Sequence, residues 1–338
     1  MEREFYNVAV VGATGLVGSE LLEALASQRF PVNELKLYSS MNTAGNKIEF
    51  MGEDILVEPL CADFFQGMDF IFFTAHPMVS RDMAEDAASD GGLVIDSSRA
   101  FRLHPQVPLV VPEINPDELK SVRLKKGIIA SPSPAATALA LVLNPILKKY
   151  GIRRVVAATT HGSTSQGRSG FEEHQQQTIA IFNQQELAME HFVRQSAFNI
   201  YPRVGPFQGE ATEEEADIEN ELPKILGQKN LPVTVTAAMI PIFCGITAAV
   251  NVETKKPASL NSIRSLLDGS PGVKVMDQPK EDKFPDTLEA MAHDEVLVGR
   301  TRKDHTLENG FNLWISADNL KKGSALNLIQ IAKTILGI

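Results

Sequence analysis

Reactive sulfur is scarce in this chain of 338 residues, which has two cysteines, Cys61 and Cys244. They stand far apart, with no Cys or His at ligand spacing beside them, and this argues against a disulfide framework and against a zinc site or any other metal centre. Basic clusters are missing as well. Lys and Arg number 32 against 42 Asp and Glu, a net charge of -10, so nucleic acid and anionic membrane surfaces are poor partners. No apolar run approaches the roughly 20 residues of a membrane span. The opening MEREFYN carries no signal core, and a cytoplasmic location is expected. Internal repeats and low-complexity segments are absent, and the length suits two ordinary domains with their own cores.

What is present begins at once. Asn7 to Val11 is a short β-branched run, followed by Gly12-Ala13-Thr14-Gly15-Leu16-Val17-Gly18 and by apolar residues at helical spacing, Leu21, Leu22 and Leu25. This reads as strand, glycine turn, helix. Glycines at 12, 15 and 18 permit a tight turn, close approach of a pyrophosphate and packing of helix on strand, while the helix N-terminus offers free N–H groups. A doubly wound sheet with an empty crevice would use the same turn. The next strand, Leu35 to Tyr38, runs into Ser39-Ser40-Met41-Asn42. It offers neither the carboxylate that grips an NAD ribose nor an arginine for a 2′-phosphate, so NADP and NAD both stay open.

Further strand-like runs, Met68 to Thr74, Gly92 to Asp96, Leu109 to Pro112 and Gly127 to Ala130, alternate with a helical Val79 to Ala88. The alternation predicts an α/β fold with an N-terminal Rossmann-type doubly wound sheet. From about Ile152 longer strands follow: Val155 to Thr160, Val233 to Phe243, Ala248 to Thr254, Glu295 to Arg300 and Gly310 to Ser316. They predict a second, mixed or antiparallel sheet. Ala325 to Leu336 is apolar almost all round, as for a buried helix returning to the first domain.

Six segments together resemble the aspartate-semialdehyde dehydrogenase family: GATGLVGSELL (12–22), VIDSSRAFR (94–102), VPLVVPEIN (107–115), IPIFCGITAAVNVET (240–254), VGRTRKD (298–304) and, most strongly, NLWISADNLKKGSALNLIQIA (312–332). The resemblance implies a Rossmann-like NAD(P)-binding domain over 1–132 and 318–338. It implies an α+β dimerisation domain of the semialdehyde dehydrogenase type over 133–317, and a homodimer formed through it. In that family, which serves amino-acid biosynthesis, a cysteine thiolate attacks an acyl phosphate or aldehyde, a histidine handles the proton, and NADPH exchanges the hydride. The cofactor contacts it implies are Gly12, Thr14, Gly15, Leu16, Val17, Gly18 and Asn327. Against these, Asn42 stands for a 2′-phosphate arginine, His76-Pro77 for a Gly-Gly loop, and Thr164-Ser165 for a Ser-Gly pair.

The catalytic positions differ most. The nucleophile's position is Pro134, within Ser131-Pro132-Ser133-Pro134-Ala135-Ala136-Thr137, and the base's position is Ile246. A substrate-gripping arginine falls on Met239, a glutamine on His161 and a phosphate-binding lysine on Asp217; Arg102 is retained. The pattern is similar to the Usg proteins, relatives that lack the catalytic Cys and His, and no catalytic residue is assigned. Ser133 as N-cap and Pro134 at the first helical position make a coherent helix start. Cys244, read as part of an apolar strand, behaves as a small buried hydrophobe, and a Ser133–His161 pair would still need an oxyanion hole. The run Glu210 to Glu221 carries seven acids and no base, and reads as an N-capped first turn on a solvated face. Two functional classes follow: a catalytically silent homodimer that binds a nucleotide, a small metabolite or a partner protein, and an NAD(P)-dependent oxidoreductase with altered, non-covalent chemistry.

Overall fold

Short β-branched runs between glycine turns become the strands of a parallel sheet in the first of two units. The computed structural model describes residues 4–61, 65–122 and 127–338, and the chain divides into Met1–Ser133 with Ser324–Ile338, and Pro134–Gly323. In the first unit lie β1 (Tyr6–Val11), α1 (Leu16–Ser27), β2 (Val32–Ser39), β3 (Lys47–Phe50), β4 (Glu53–Pro59), β5 (Phe70–Phe73), α2 (Pro77–Ser89), β6 (Leu93–Asp96) and β7 (Gly127–Ala130). The sheet order is β3-β4-β2-β1-β5-β6-β7, parallel except for the β3–β4 pair. Sequence order reverses at β1, which places the glycine turn at the crevice where such sheets bind ligands. Val8, Val10, Phe70, Phe72 and Ile95 build its core with Leu21 and Leu25 of α1. Phe30 meets Phe70 edge to face at 5.6 Å. Leu109 makes only a single bridge with Ala130, so the expected strand from Leu109 to Pro112 does not form.

The second unit starts with α3 (Pro134–Tyr150), β8 (Ile152–His161), α4 (Gly167–Phe182), a small hairpin of β9 (Phe207–Gln208) and β10 (Ala211–Thr212), and α5 (Glu213–Ile225). It continues with β11 (Val233–Met239), β12 (Ile246–Thr254), α6 (Leu260–Asp268), β13 (Val273–Val275), α7 (Thr287–Met291), β14 (Val296–Asp304) and β15 (Gly310–Ala317). Its six-stranded mixed sheet has the order β11-β8-β12-β15-β14-β13. Helix α3 starts at Pro134, as the proline's fixed φ and missing N–H favour. It is buried almost all round from Ala135 to Leu143.

Two expectations are corrected in this unit. Strand β11 stops at Met239 and does not run to Phe243, because the chain then leaves the sheet to bond the loop after β8. Gly162 N–H donates to the Gly245 carbonyl, Ser163 N–H to that of Ile242 and Thr164 N–H to that of Phe243, at 2.9 to 3.0 Å. Cys244 therefore lies in a loop. The acidic run of α5 is also more than a solvated face. Glu219 accepts the Val235 N–H (2.8 Å), Glu215 accepts that of Ala237 (2.9 Å), and the Tyr201 carbonyl accepts that of Met239 (2.9 Å). Two carboxylates and a backbone carbonyl thus cover the amides of an edge strand that would otherwise invite pairing.

The chain closes with α8 (Leu326–Leu336), which belongs to the first unit. It buries Leu326, Leu328, Ile329, Ile331 and Ala332 in the core shared with α1 and β6.

Candidate functional site

The glycine turn is held by steric constraints that no other residue meets. Gly12 has φ +89°, and a Cβ on it would sit 2.9 Å from the Ala75 backbone nitrogen. A Cβ on Gly18 would sit 2.2 Å from the Gly12 carbonyl oxygen, so α1 packs directly on the turn. Gly15 serves as N-cap of α1 without a side-chain cap, which leaves the first turn of Leu16, Val17 and Gly18 facing no capping side chain of its own. Thr14 Oγ1 pairs with Thr43 Oγ1 at 3.0 Å, and Thr43 donates to Ser39 Oγ at 2.9 Å. Hydroxyls thus link the turn to the end of β2, while Asn42 is exposed. His76 and Pro77 form a helix start of their own: His76 Nδ1 accepts the Met78 N–H at 3.3 Å and Pro77 opens α2.

Asn327, in the same unit, is fully buried. Its Nδ2 donates to the Val110 carbonyl (2.9 Å) and to Ser131 Oγ (2.8 Å), while its Oδ1 is buried without a partner. An orphaned acceptor in the unit that carries an intact glycine turn is a feature that a bound amide or hydroxyl would satisfy. These residues fit a dinucleotide: the turn would take the pyrophosphate, and Asn327 a polar group. Arg102 is engaged differently. Its Nε donates to the Ser131 carbonyl at 3.1 Å and its Nη2 to that of Ser97 at 2.7 Å, which ties 97–102 to the strand end. Asp96 beside it is buried, which lifts its carboxyl above the usual range against hydrogen bonds from Ser98 and Ser80 and the charge of Arg102.

In the second unit the sheet register aligns residues far apart in sequence. Met239 on β11 pairs with His161 on β8, His161 with Ile246 on β12, and Ile246 with Ala317 on β15. Three positions that the family resemblance assigns to polar catalytic or substrate groups thus form one row, and all are closed: Met239 is 3%, His161 2% and Ile246 4% exposed. Met239 packs with Phe192, Val204, Ala237 and Tyr201, filling with apolar side chains the place where an arginine would need water or an anion. Burial pushes the His161 imidazole down to about 4, and its Nε2 meets Thr159 Oγ1 at 3.0 Å. At pH 7 it is a neutral hydrogen-bonded group.

Pro134 is half-buried. A Cβ on Gly323 would lie 2.4 Å from Pro134 Cβ, so the returning chain passes directly over the ring. Cys244 Sγ lies 3.6 Å from Asp318 Oδ1 and 3.5 Å from Asn319 Oδ1, and burial, with the Asp318 charge, pushes its thiol up to about 12. A thiol held protonated there is no nucleophile. Cys61 is exposed, in keeping with a residue outside any site. Asp217 is buried on α5. Thr164 Oγ1 donates to Asn319 Oδ1 at 3.1 Å, and Ser165 Oγ to the Gly162 carbonyl at 2.7 Å, so both brace the loop after β8. Among the described residues no group of His, Cys, Asp and Glu is arranged to hold a metal ion.

Sequence reasoning located each position singly but missed the row, because register between distant strands has no local signature.

The comparisons with known proteins extend over nearly the whole chain. Residues 7–122 match the family model described as semialdehyde dehydrogenase, NAD binding domain, and residues 143–322 that described as semialdehyde dehydrogenase, dimerisation domain. The aspartate-semialdehyde dehydrogenase of Aquifex aeolicus is 39% identical over 334 residues, 98% of each chain. The crystal structure of aspartate semialdehyde dehydrogenase II from Vibrio cholerae, complexed with ASA, superposes with a TM-score of 0.95 at 33% identity, covering 99% of both chains. That of Candida albicans, solved with NADP, shares the fold at a TM-score of 0.74 and 21% identity, covering 98% of each.

Proposed function

This chain belongs to the aspartate-semialdehyde dehydrogenase family, and from that premise we propose that it has lost the family's covalent dehydrogenation and acts as a homodimer that binds a nucleotide, a metabolite or a partner. The observation that carries this reading is the closed row Met239–His161–Ile246 together with Pro134 at the start of α3. Covalent catalysis of this type needs a thiolate and a base matched to neutral pH. The chain offers a proline, an isoleucine and a histidine held neutral by burial. This is the Usg-like pattern within the family.

Retention of a dinucleotide is supported by the steric demands of Gly12 and Gly18 and by the unpartnered Asn327 Oδ1. NADP or NAD, when bound, would supply hydride chemistry; the protein's part is to hold the pyrophosphate at the turn. Neither an acid nor an arginine at the end of β2 selects between them. Dimerisation through the second unit is supported by apolar side chains it leaves open: Phe182 and Phe198 meet edge to face at 5.7 Å yet are 74% and 62% exposed. Among the described residues no helix is long and apolar enough to cross a membrane, and we place the protein in the cytoplasm.

The test is turnover of aspartate semialdehyde with phosphate and NADP or NAD, for the natural chain and for Pro134→Cys. No turnover is expected from either, because Ile246 and Met239 still lack the base and the grip. Appreciable turnover by the natural chain overturns the reading; turnover by Pro134→Cys alone shows that base and grip reside elsewhere. Light scattering should report a dimer, and a monodisperse monomer refutes that part.

A further inference from the structure

Beside the glycine turn, the end of β2 carries a ladder of hydroxyls whose protons are all committed within the protein. In a doubly wound sheet the turn after the first strand takes the pyrophosphate, and the end of the next parallel strand meets the 2′ position of the adenosine ribose. Backbone bonds make these two places one platform. The Gly12 and Ala13 N–H groups donate to the Tyr38 carbonyl at 2.8 and 3.1 Å, and the Leu60 N–H donates to that of Ser39 at 3.0 Å.

Side chains join them as well, and in one direction. Ser39 Oγ donates to the Ser40 carbonyl at 3.2 Å, and Thr43 Oγ1 donates to Ser39 Oγ at 2.9 Å. A hydroxyl has a single proton, so in the 3.0 Å contact between Thr14 Oγ1 and Thr43 Oγ1 the donor is Thr14. The ladder therefore runs from Thr14 to Thr43 to Ser39 to the Ser40 carbonyl, and what Thr43 and Ser39 retain for a ligand is oxygen lone pairs. The amides of the turn that carries Thr43 also point inward. Those of Thr43 and Ala44 donate to the Ser40 carbonyl at 3.1 and 3.0 Å, and that of Gly45 to the Val57 carbonyl at 2.8 Å.

Lone pairs suit a ribose hydroxyl, which brings a proton. They oppose a phosphate monoester, which near neutral pH brings acceptor oxygens and about two negative charges. The surrounding charge acts in the same sense. Residues 32–59 hold five acids, Glu34, Glu49, Glu53, Asp54 and Glu58, against two bases, Lys36 and Lys47. Each lysine faces an acid of its own at 3.6 Å, Lys36 with Glu34 and Lys47 with Asp54. Glu58 is the register partner of Tyr38, the residue before Ser39. Burial, together with the charges of Glu58 and Glu34, pushes the Tyr38 phenol up. Asn42, exposed on the turn, is neutral. A phosphate at the end of β2 would thus meet a negative field that no cation of this segment is placed to answer.

We infer that the ladder selects a dinucleotide whose adenosine ribose keeps its 2′-hydroxyl, NAD(H) over NADP(H), with Thr43 and Ser39 as the specificity-determining residues. The inference rests on the proposed retention of a dinucleotide at the glycine turn and adds which of the two it is.

The test is titration of the full chain with NADH and with NADPH, read by nicotinamide fluorescence, and competition by ADP-ribose and 2′-phospho-ADP-ribose, which carry the two ribose states without the nicotinamide. NADH should bind at least about tenfold tighter than NADPH, and ADP-ribose should outcompete its 2′-phosphorylated form by a similar ratio. Thr43→Val removes the central hydroxyl and releases the Thr14 proton toward the ligand, so it should narrow the ratio at least about threefold, whereas Thr43→Ser should keep it. Asn42→Arg should narrow it about tenfold by strengthening NADPH with little change in NADH. NADPH binding to the natural chain as tightly as NADH, or an unchanged ratio in Thr43→Val, overturns the selection and leaves retention of a dinucleotide standing. Binding of none of the four compounds at millimolar concentration overturns retention, and this inference with it.

Discussion

The glycine turn of the first unit and the Met239–His161–Ile246 row of the second are held by different forces, and they tolerate side-chain change to different degrees. The turn depends on the absence of side chains: any Cβ at 12 or 18 meets backbone at under 3 Å. The row is a matter of which side chains fill a given backbone, and here the backbone register stands while the contents are apolar or neutral. Backbone architecture therefore constrains the first site almost completely and the second hardly at all, since a buried row accepts any set of side chains that fills it without an unpaired charge.

The sharpest way to break this contrast is Gly18→Val. With no room for even a Cβ against the Gly12 carbonyl, it should lower stability by about 4 kcal/mol or more and abolish any dinucleotide binding, read by denaturant titration and nicotinamide fluorescence. A small loss would mean that α1 can move off the turn.

Next comes His161. Its ordinary value is 6.5, its folded value about 4, so the unfolded chain binds the proton first as pH falls. Stability should be full above about pH 6.5 and decline toward pH 4 by about 3 kcal/mol on this account, levelling below. His161→Gln should fold and remove that slope. An imidazolium seen by NMR at pH 6 would show the row to be open.

Glu215→Ala should lower stability by about 2 kcal/mol by leaving the Thr212 and Ala237 amides unsatisfied. Burial raises the Glu215 carboxyl, but those amide bonds outweigh it and hold the group below its usual value of 4.5. Its contribution is thus present above about pH 4.5 and lost as pH falls through the lower folded value. A Glu215→Ala chain as stable as the natural one would show that β11 needs no cover.

The smallest effect concerns thiols. Iodoacetamide at pH 8 should modify Cys61, which is exposed, and leave Cys244, whose thiol stays protonated to about 12. Rapid alkylation of both would reopen Cys244 as a reactive group.

Much of this was legible in advance for a physical reason. Strand, glycine turn and helix from Tyr6 to Ser27 are encoded by neighbours in sequence, and so is the helix start at Pro134. The apolar helix near the C-terminus was equally plain from its own pattern. The end of β11 was not, because Ile240, Ile242 and Phe243 are as apolar as the strand before them, and only their backbone bonds to the loop after β8 pull them out of the sheet. Nor was the role of Glu215 and Glu219, whose partners lie 16 to 22 residues away on another element.

The sequence by itself determined the family, the two-sheet architecture, the glycine turn and the helix start at Pro134, since each depends on residue identity or local periodicity. Only the tertiary structure decided that Met239, His161 and Ile246 are one closed row and that Cys244 lies in a loop against Asp318 and Asn319. Register, burial and the approach of distant loops depend on which strands meet, and that is settled by packing across the whole unit.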